Sequence, residues 1–290
     1  MFRIKKIIIA FVAFFSCYMA NAQRNEIGVL LGASYYLGDL NPSKQFFLAK
    51  PAGGIIYRYI INPRWAIKLD GLYGGLAGDD AKSKANVDRN LSFKSNIVEA
   101  SSQFELNFLP YITGSKEKNY FTPYIFAGLA VFHFNPKAEY NGTWYALQPL
   151  CTEGEGTPLS NQKPYSLTQV SIPFGFGFKY SIGDNICIGA EWGMRKTFTD
   201  YIDDVSTTYP DPVTLAAEKG QIAAILSDRS LKVNNETANN TGLQRGNPET
   251  KDWYSFAGAF ITFKFKAFKD ETCPAYGRHS SHYSQKLNRD

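Results

Sequence analysis

The chain has 290 residues, with 31 Lys and Arg against 26 Asp and Glu, a formal net charge of +5. Three of the basic residues, Arg3, Lys5 and Lys6, precede the first apolar run and leave +2 for the rest, too even a balance for the basic stripe of a nucleic-acid surface. Aromatics at 15% and 24 glycines are the composition of many amphipathic strands joined by turns.

After the basic residues come an apolar run from Ile7 to Phe15 and the small-x-small tripeptide Ala20-Asn21-Ala22. Residues 1–22 are therefore expected to be a secretory signal cut after Ala22; the run is shorter than the ~20 residues of a spanning helix. No long apolar run follows, so the mature chain is expected to cross a membrane with strands or not at all. Residues 23–268 are read as one barrel and residues 269–290 as a polar tail.

Eight segments alternate with the period of two that places successive side chains on opposite faces of a strand. The first runs from Ile27 to Leu37, with Gly28, Gly32 and Ser34 on its other face. The second carries Ile55, Tyr57, Tyr59 and Ile61 against Arg58; after Asn62-Pro63-Arg64 the third sets Trp65, Ile67, Leu69 and Tyr73 against Lys68 and Asp70. The fourth sets Val98, Ala100, Phe104, Leu106 and Phe108 against Glu99, Gln103 and Glu105. The fifth, Tyr120 to Phe134, alternates poorly. The sixth is the most regular: Val170, Ile172, Phe174, Phe176, Phe178 and Tyr180 alternate with Gln169, Ser171, Pro173, Gly175, Gly177 and Lys179. Ile188, Trp192 and Met194 face away from Glu191 and Arg195 in the seventh, and Trp253 to Ala267 forms the eighth.

Connections after odd segments are long (39–50, 78–92, 135–165 and 202–250), and those after even segments are short (62–64, 110–119 and 181–185). Outer-membrane barrels have this rhythm of long external loops and short periplasmic turns. The expectation is an all-β fold: an eight-stranded antiparallel transmembrane β-barrel in the cell outer membrane, its apolar face against lipid and both ends of the barrel domain in the periplasm. A soluble lipocalin-like barrel is the alternative, with the aromatics lining an internal cavity and the charges in water.

Side chains fill the interior of an eight-stranded barrel. The charges assigned there are Arg58, Lys68, Asp70, Glu99, Glu105, Lys179, Glu191 and Arg195, four of each sign, read as a paired plug because a bare buried charge is costly. An aromatic girdle is assigned to Tyr57, Tyr59, Trp65, Phe104, Phe108, Tyr124, Tyr180 and Trp192.

Little points to catalysis. His133, His279 and His282 are the only histidines, and no Gly-x-Ser-x-Gly turn exposes a nucleophile. Asp200, Asp203, Asp204 and Asp211 crowd the start of the last long loop without the spacing of a twelve-residue calcium loop, and turn and capping roles are assigned to them. Asp211 fits the N-cap and Pro212 the first turn of a short loop helix reaching Leu226, interrupted by Gly220. No catalytic residue, metal, cofactor or small-molecule substrate is expected. Cys151, Cys187 and Cys273 follow the signal in a compartment that permits disulfides. Cys187 and Cys273 can pair on the periplasmic side, or Cys273 can link to another protein; Cys273, Arg278 and the surrounding tail, with the turns near Pro63, Ser115 and Asp184, are the expected partner-facing surface.

Several loop segments together resemble one family: Leu37-Gly38-Asp39-Leu40, Thr152-Glu153-Gly154-Glu155-Gly156-Thr157, Asp203-Asp204-Val205-Ser206-Thr207, Leu226-Ser227-Asp228-Arg229-Ser230, Arg245-Gly246-Asn247-Pro248 and Asp252-Trp253-Tyr254. They are similar to the PorG-type outer-membrane barrels of Bacteroidetes. The resemblance implies a structural component of the type IX protein secretion system, and in some organisms of gliding, that contacts a periplasmic ring of PorK/PorN-like proteins. A barrel serving surface adhesion or envelope integrity is the alternative.

Overall fold

The computed structural model describes residues 25–115, 119–231 and 240–265. The expected signal residues 1–22, Cys273, Arg278 and the rest of the tail lie outside them. Ten strands form one sheet: β1 (Asn25–Leu37), β2 (Lys50–Ile60), β3 (Trp65–Asp79), β4 (Ser92–Asn107), β5 (Phe121–Phe134), β6 (Lys137–Tyr140), β7 (Thr143–Ala146), β8 (Thr168–Ile182), β9 (Ile186–Thr197) and β10 (Trp253–Phe265). β6 and β7 are a small hairpin in the third long loop, joined to the external end of β4 through Lys94 and Lys137. The other eight are antiparallel and close on themselves, since β1 pairs with both β2 and β10 and β3 pairs with β4.

The register fixes the geometry. Partners followed once round, Asn25 to Tyr59, Ile67, Phe104, Ala127, Phe174, Met194 and Ser255, return to β1 at Tyr35, ten residues further on. With ~3.3 Å per residue and ~4.8 Å between strands, that stagger tilts the strands about 40° and gives a radius of about 8 Å.

Alternation decides which side chains face out. Phe176 is 57% and Phe178 54% exposed on the outer wall, as are Ile55, Leu69, Val98, Leu129 and Val131 to similar extents. Among the described residues, the outward positions of the eight strands carry no charge below Lys94 and Lys196 at their external ends. Water could not stabilise so continuous an apolar wall; lipid can. The outer face is a continuous apolar wall and the charges of the strands lie inside, the reverse of a lipocalin-like barrel with its charges in water, so the chain is an outer-membrane-type β-barrel. No described helix is long and apolar enough to cross a membrane; strands make the crossing.

β5 alternates as regularly in burial as its neighbours. Its weak sequence pattern has a physical cause: the inward positions hold Phe126, Phe132 and Phe134, each at most 4% exposed, so both faces are apolar. Tyr124 belongs to this inward set and is completely buried, which removes it from the girdle. Trp192 faces outward but lies under the first loop: its Nε1 donates to Tyr35 Oη at 2.8 Å, that hydroxyl donates to Gln45 Oε1 at 2.6 Å, and Phe46 packs on the Tyr35 ring at 4.8 Å.

Among the described residues, three short α-helices lie in the external loops, α1 (Asp80–Ser83), α2 (Pro212–Lys219) and α3 (Gln221–Ser227), with a single 3-10 turn at Gln148–Leu150. Asp211 caps α2 by accepting from Thr214 N at 2.8 Å. Gly220, at φ +91°, separates α2 from α3, where an L side chain would be strained.

Candidate functional site

All eight predicted interior charges are in the lumen and none is more than 7% exposed. They form three tiers. Nearest the periplasm, Arg58 donates through Nε to Glu105 at 2.8 Å and through Nη1 to Glu26 at 2.7 Å, while Lys179 Nζ donates to the same Glu105 oxygen at 2.5 Å. In the middle, Lys68 Nζ donates to both oxygens of Glu191 at 2.7 and 2.8 Å and lies 3.3 Å from Asp70, and Tyr124 Oη donates to Glu191 at 2.6 Å. Towards the outside, Arg195 forks onto Glu99 with two contacts of 3.1 Å, and Tyr254 Oη donates to Glu99 at 2.8 Å. Rings sit against the cations, with Lys68 4.5 Å from the Phe126 centroid and Lys179 4.2 Å from that of Tyr124.

The sequence reading missed Glu26, which gives the lumen a fifth carboxylate. Its signal was available: Glu26 has the parity of Gly28, but it stands before the apolar residues that mark the strand. The small residues of β8 and β9 acquire a reason here. A Cβ on Gly175 or Gly193 would lie 2.8 or 2.6 Å from the Phe126 ring, and one on Gly189 would lie 2.4 Å from that of Phe260. Glycines on the inner wall make room for lumenal rings.

The periplasmic mouth is closed by residues 108–115. Tyr111 N donates to Pro63 O at 2.8 Å, Lys264 Nζ to Thr113 O at 2.8 Å, and the Thr113 hydroxyl to Glu26. Gly114 N donates to Ser181 Oγ at 2.8 Å; Gly114 has φ +75°, and a Cβ there would meet Asp184 O at 1.8 Å. The turns near Pro63, Ser115 and Asp184 thus pack into one periplasmic face. Cys187 is fully buried at this end and Cys151 is buried in the external loops; neither forms a disulfide with a described residue.

At the external mouth, the loop segments singled out in the sequence converge. The Tyr36 hydroxyl donates to Asp203 and, at 3.2 Å, to Asp252, whose other oxygen accepts from Ile202 N at 2.8 Å. Tyr165 donates to Asp204 at 2.6 Å and Thr152 to its other oxygen at 2.5 Å. Arg245 Nη1 donates to Glu153 at 2.9 Å and Nε to Ser227 O at 3.0 Å; Glu153 also accepts from Ser206 N at 2.8 Å and Thr207 N at 2.9 Å. Arg89 grips Asp80 with two 2.8 Å bonds and reaches Arg245 O at 2.6 Å and Asp39 O at 2.9 Å. All four long loops are tied into one lid over the barrel.

This lid concentrates carboxyl groups away from water. Burial pushes Asp200 and Asp204 up to about 7 and raises Asp203 and Asp252 well above the usual carboxylate range, with the neighbouring acids adding to the shift. Of the turn and capping roles expected for these acids, Asp203 fills the first by accepting from Val205 N at 3.0 Å and Asp211 the second at α2, whereas Asp200 and Asp204 are occupied by the hydroxyls of Ser206, Thr152 and Tyr165. Among the described residues, no three His, Cys, Asp or Glu side chains are grouped to hold a metal ion. His133 is exposed on the outer wall, its Nδ1 3.0 Å from Thr168 Oγ1.

A family model described as a domain of unknown function, DUF6089, matches residues 5–217. No curated protein sequence matches the chain. Solved structures with a similar course include the following three, of which OprG is described as an outer membrane protein. Ail, the attachment invasion locus protein of Yersinia pestis, is 8% identical, covering 84% of this chain and 100% of that one at a TM-score of 0.41. Neisserial surface protein A is 12% identical over 84% and 99%, at 0.40. OprG of Pseudomonas aeruginosa is 9% identical over 86% and 99%, at 0.37.

Proposed function

This chain belongs to the DUF6089 family, and from that premise and its architecture we propose that it is a structural component of the type IX protein secretion machinery, holding the apparatus to the outer membrane through periplasmic ring proteins of the PorK/PorN kind. The observation that carries the reading is a lumen closed at both ends and filled by ion pairs between them. Such a barrel is suited to anchoring rather than to passing solutes, and no step of catalysis is assigned to it.

Two further observations support it. The lid is built from the segments that resemble PorG-type barrels, including Asp203 to Thr207 and Asp252 to Tyr254, so the resemblance rests on residues that make one tertiary unit. The turns at Pro63, Ser115 and Asp184 form a consolidated periplasmic face, a platform for a ring beneath; Cys273 and Arg278 are proposed to extend that contact. Deleting the gene should block secretion of cargo bearing carboxy-terminal targeting domains, and crosslinking should recover a ring protein with the barrel. Normal secretion together with no ring protein in the crosslinked fraction sinks this reading and leaves adhesion or envelope integrity.

A further inference from the structure

The outer wall is apolar almost to its external edge, where Lys94 on β4 and Lys196 on β9 are the first charges met on the outward positions of the eight described strands. On β9, Lys196 points outward and pairs in register with Ile172 on one side and Trp253 on the other. Lys251, two residues before Trp253, stands one step higher on the same face. Both lysines are exposed and neither forms an ion pair with a described residue; Lys251 Nζ donates to Pro248 O at 2.7 Å, and its charge also acts on the Asp200 carboxyl.

Directly beneath them the wall is recessed. A groove of about 600 Å³ runs between the first and last long loops, lined by Leu37, Pro42, Phe174, Met194 and Trp253, with Asn247, Thr250 and Lys251 at its upper rim. Phe174 and Met194 are paired one step below the Ile172–Lys196–Trp253 row, and Trp253 meets Phe174 edge-on at 6.0 Å. Asp39 borders the groove, but its carboxyl accepts from Asn247 N at 3.0 Å.

The order from periplasm to exterior is therefore apolar trough, amphipathic tryptophan, then two exposed ammonium groups. That sequence matches an amphiphile with hydrocarbon below and negative charge above, at the depth where the apolar wall ends. We propose that this groove holds a phosphorylated lipid of the outer leaflet, with Lys196 and Lys251 on the headgroup phosphate and an acyl chain along Phe174, Met194 and Trp253. Charge complementarity selects this occupant: a neutral lipid brings no anion to the two lysines, a zwitterionic one brings a phosphate whose charge its own cation offsets, and a free anion leaves the trough unfilled.

The test is native mass spectrometry of the full mature protein released from micelles, titrated with bisphosphorylated lipid A, with the same lipid after phosphatase treatment, and with inorganic phosphate. Wild type should retain bisphosphorylated lipid A. The double variant K196Q/K251Q, its fold checked by heat-modifiable gel mobility, should bind at least about tenfold more weakly, the scale expected for two headgroup-facing lysines, and the dephosphorylated lipid should bind wild type as weakly. K94Q, which removes an outward lysine elsewhere on the external rim, should leave binding unchanged. Equal binding by wild type and the double variant overturns the proposal, as does an equal loss in K94Q, which means diffuse attraction. Displacement of the lipid by equimolar inorganic phosphate overturns it in favour of a simple anion site.

Discussion

Arg245 is 2% exposed and bridges Glu153, Ser227 and the Asp204 backbone, so Arg245→Ala leaves the Glu153 carboxylate buried without its cation. Removing one partner of a buried pair costs about 3–5 kcal/mol. At about 1.4 kcal/mol per tenfold, the lid should open about two to three and a half orders of magnitude more often. The assay is amide hydrogen exchange in micelles at Ser206 and Thr207, whose N–H groups donate to Glu153; their protection should fall by that factor while amides of β4 keep theirs. In Glu153→Gln with Arg245→Met, a neutral acceptor still takes the Ser206 bond and no bare charge is left, so most of the protection should return. Unchanged protection in the single variant, or an equal loss in the double, would refute the argument that an uncompensated carboxylate, rather than lost packing, opens the lid.

The same lid should respond to pH. Asp200 and Asp204 titrate at about 7 when folded against about 3.9 in an unfolded chain, so the folded lid holds protons that the opened loops release. Its stability is full below about pH 4, declines as pH rises towards about 7 and stays lower above; exchange rates corrected for intrinsic chemistry should show a looser lid at pH 8 than at pH 5, and the opposite order counts against the burial argument. On the outer wall, Phe176→Arg places a cation near the middle of the apolar belt and should destabilise the barrel by about 2–4 kcal/mol in lipid, read as a lower urea midpoint in vesicles; an unchanged midpoint would mean that water reaches that face. Inside, Gly175→Val forces a side chain against Trp192 O and the Phe126 ring, where even a Cβ would lie at 2.2 and 2.8 Å. It should cost at least about 1–3 kcal/mol, measured by tryptophan fluorescence during unfolding, and a neutral result would show that the lumenal rings can move aside.

The wall was legible in the sequence because lipid enforces alternation: β8 could be read residue by residue, and the interior positions of Arg58, Lys68 and Arg195 followed from parity alone. Legibility ended where the inner face also became apolar. Tyr124 and Phe126 look like lipid-facing rings until Gly175, Gly177 and Gly193 across the sheet reveal the space kept for them. The lid was legible only in pieces. Asp211 as a cap needs three residues of context, whereas the meeting of Tyr36 with Asp203 and Asp252 spans 216 positions and has no local periodicity. The β6–β7 hairpin has no signature of periodicity in the sequence, because four-residue strands carry too few alternations to stand out.

The ten-residue stagger also governs which changes of length the chain can absorb. Each strand is hydrogen-bonded on both sides, so one residue inserted within β4 would exchange Glu99 and Val98 between hydrocarbon and lumen and force the slip onto β3 and β5 together. A closed ring has no free margin on which such an error can be discharged. Descendants of this gene should therefore gain and lose residues at the external loops or the short turns, while strand lengths between those points change in steps of two or not at all.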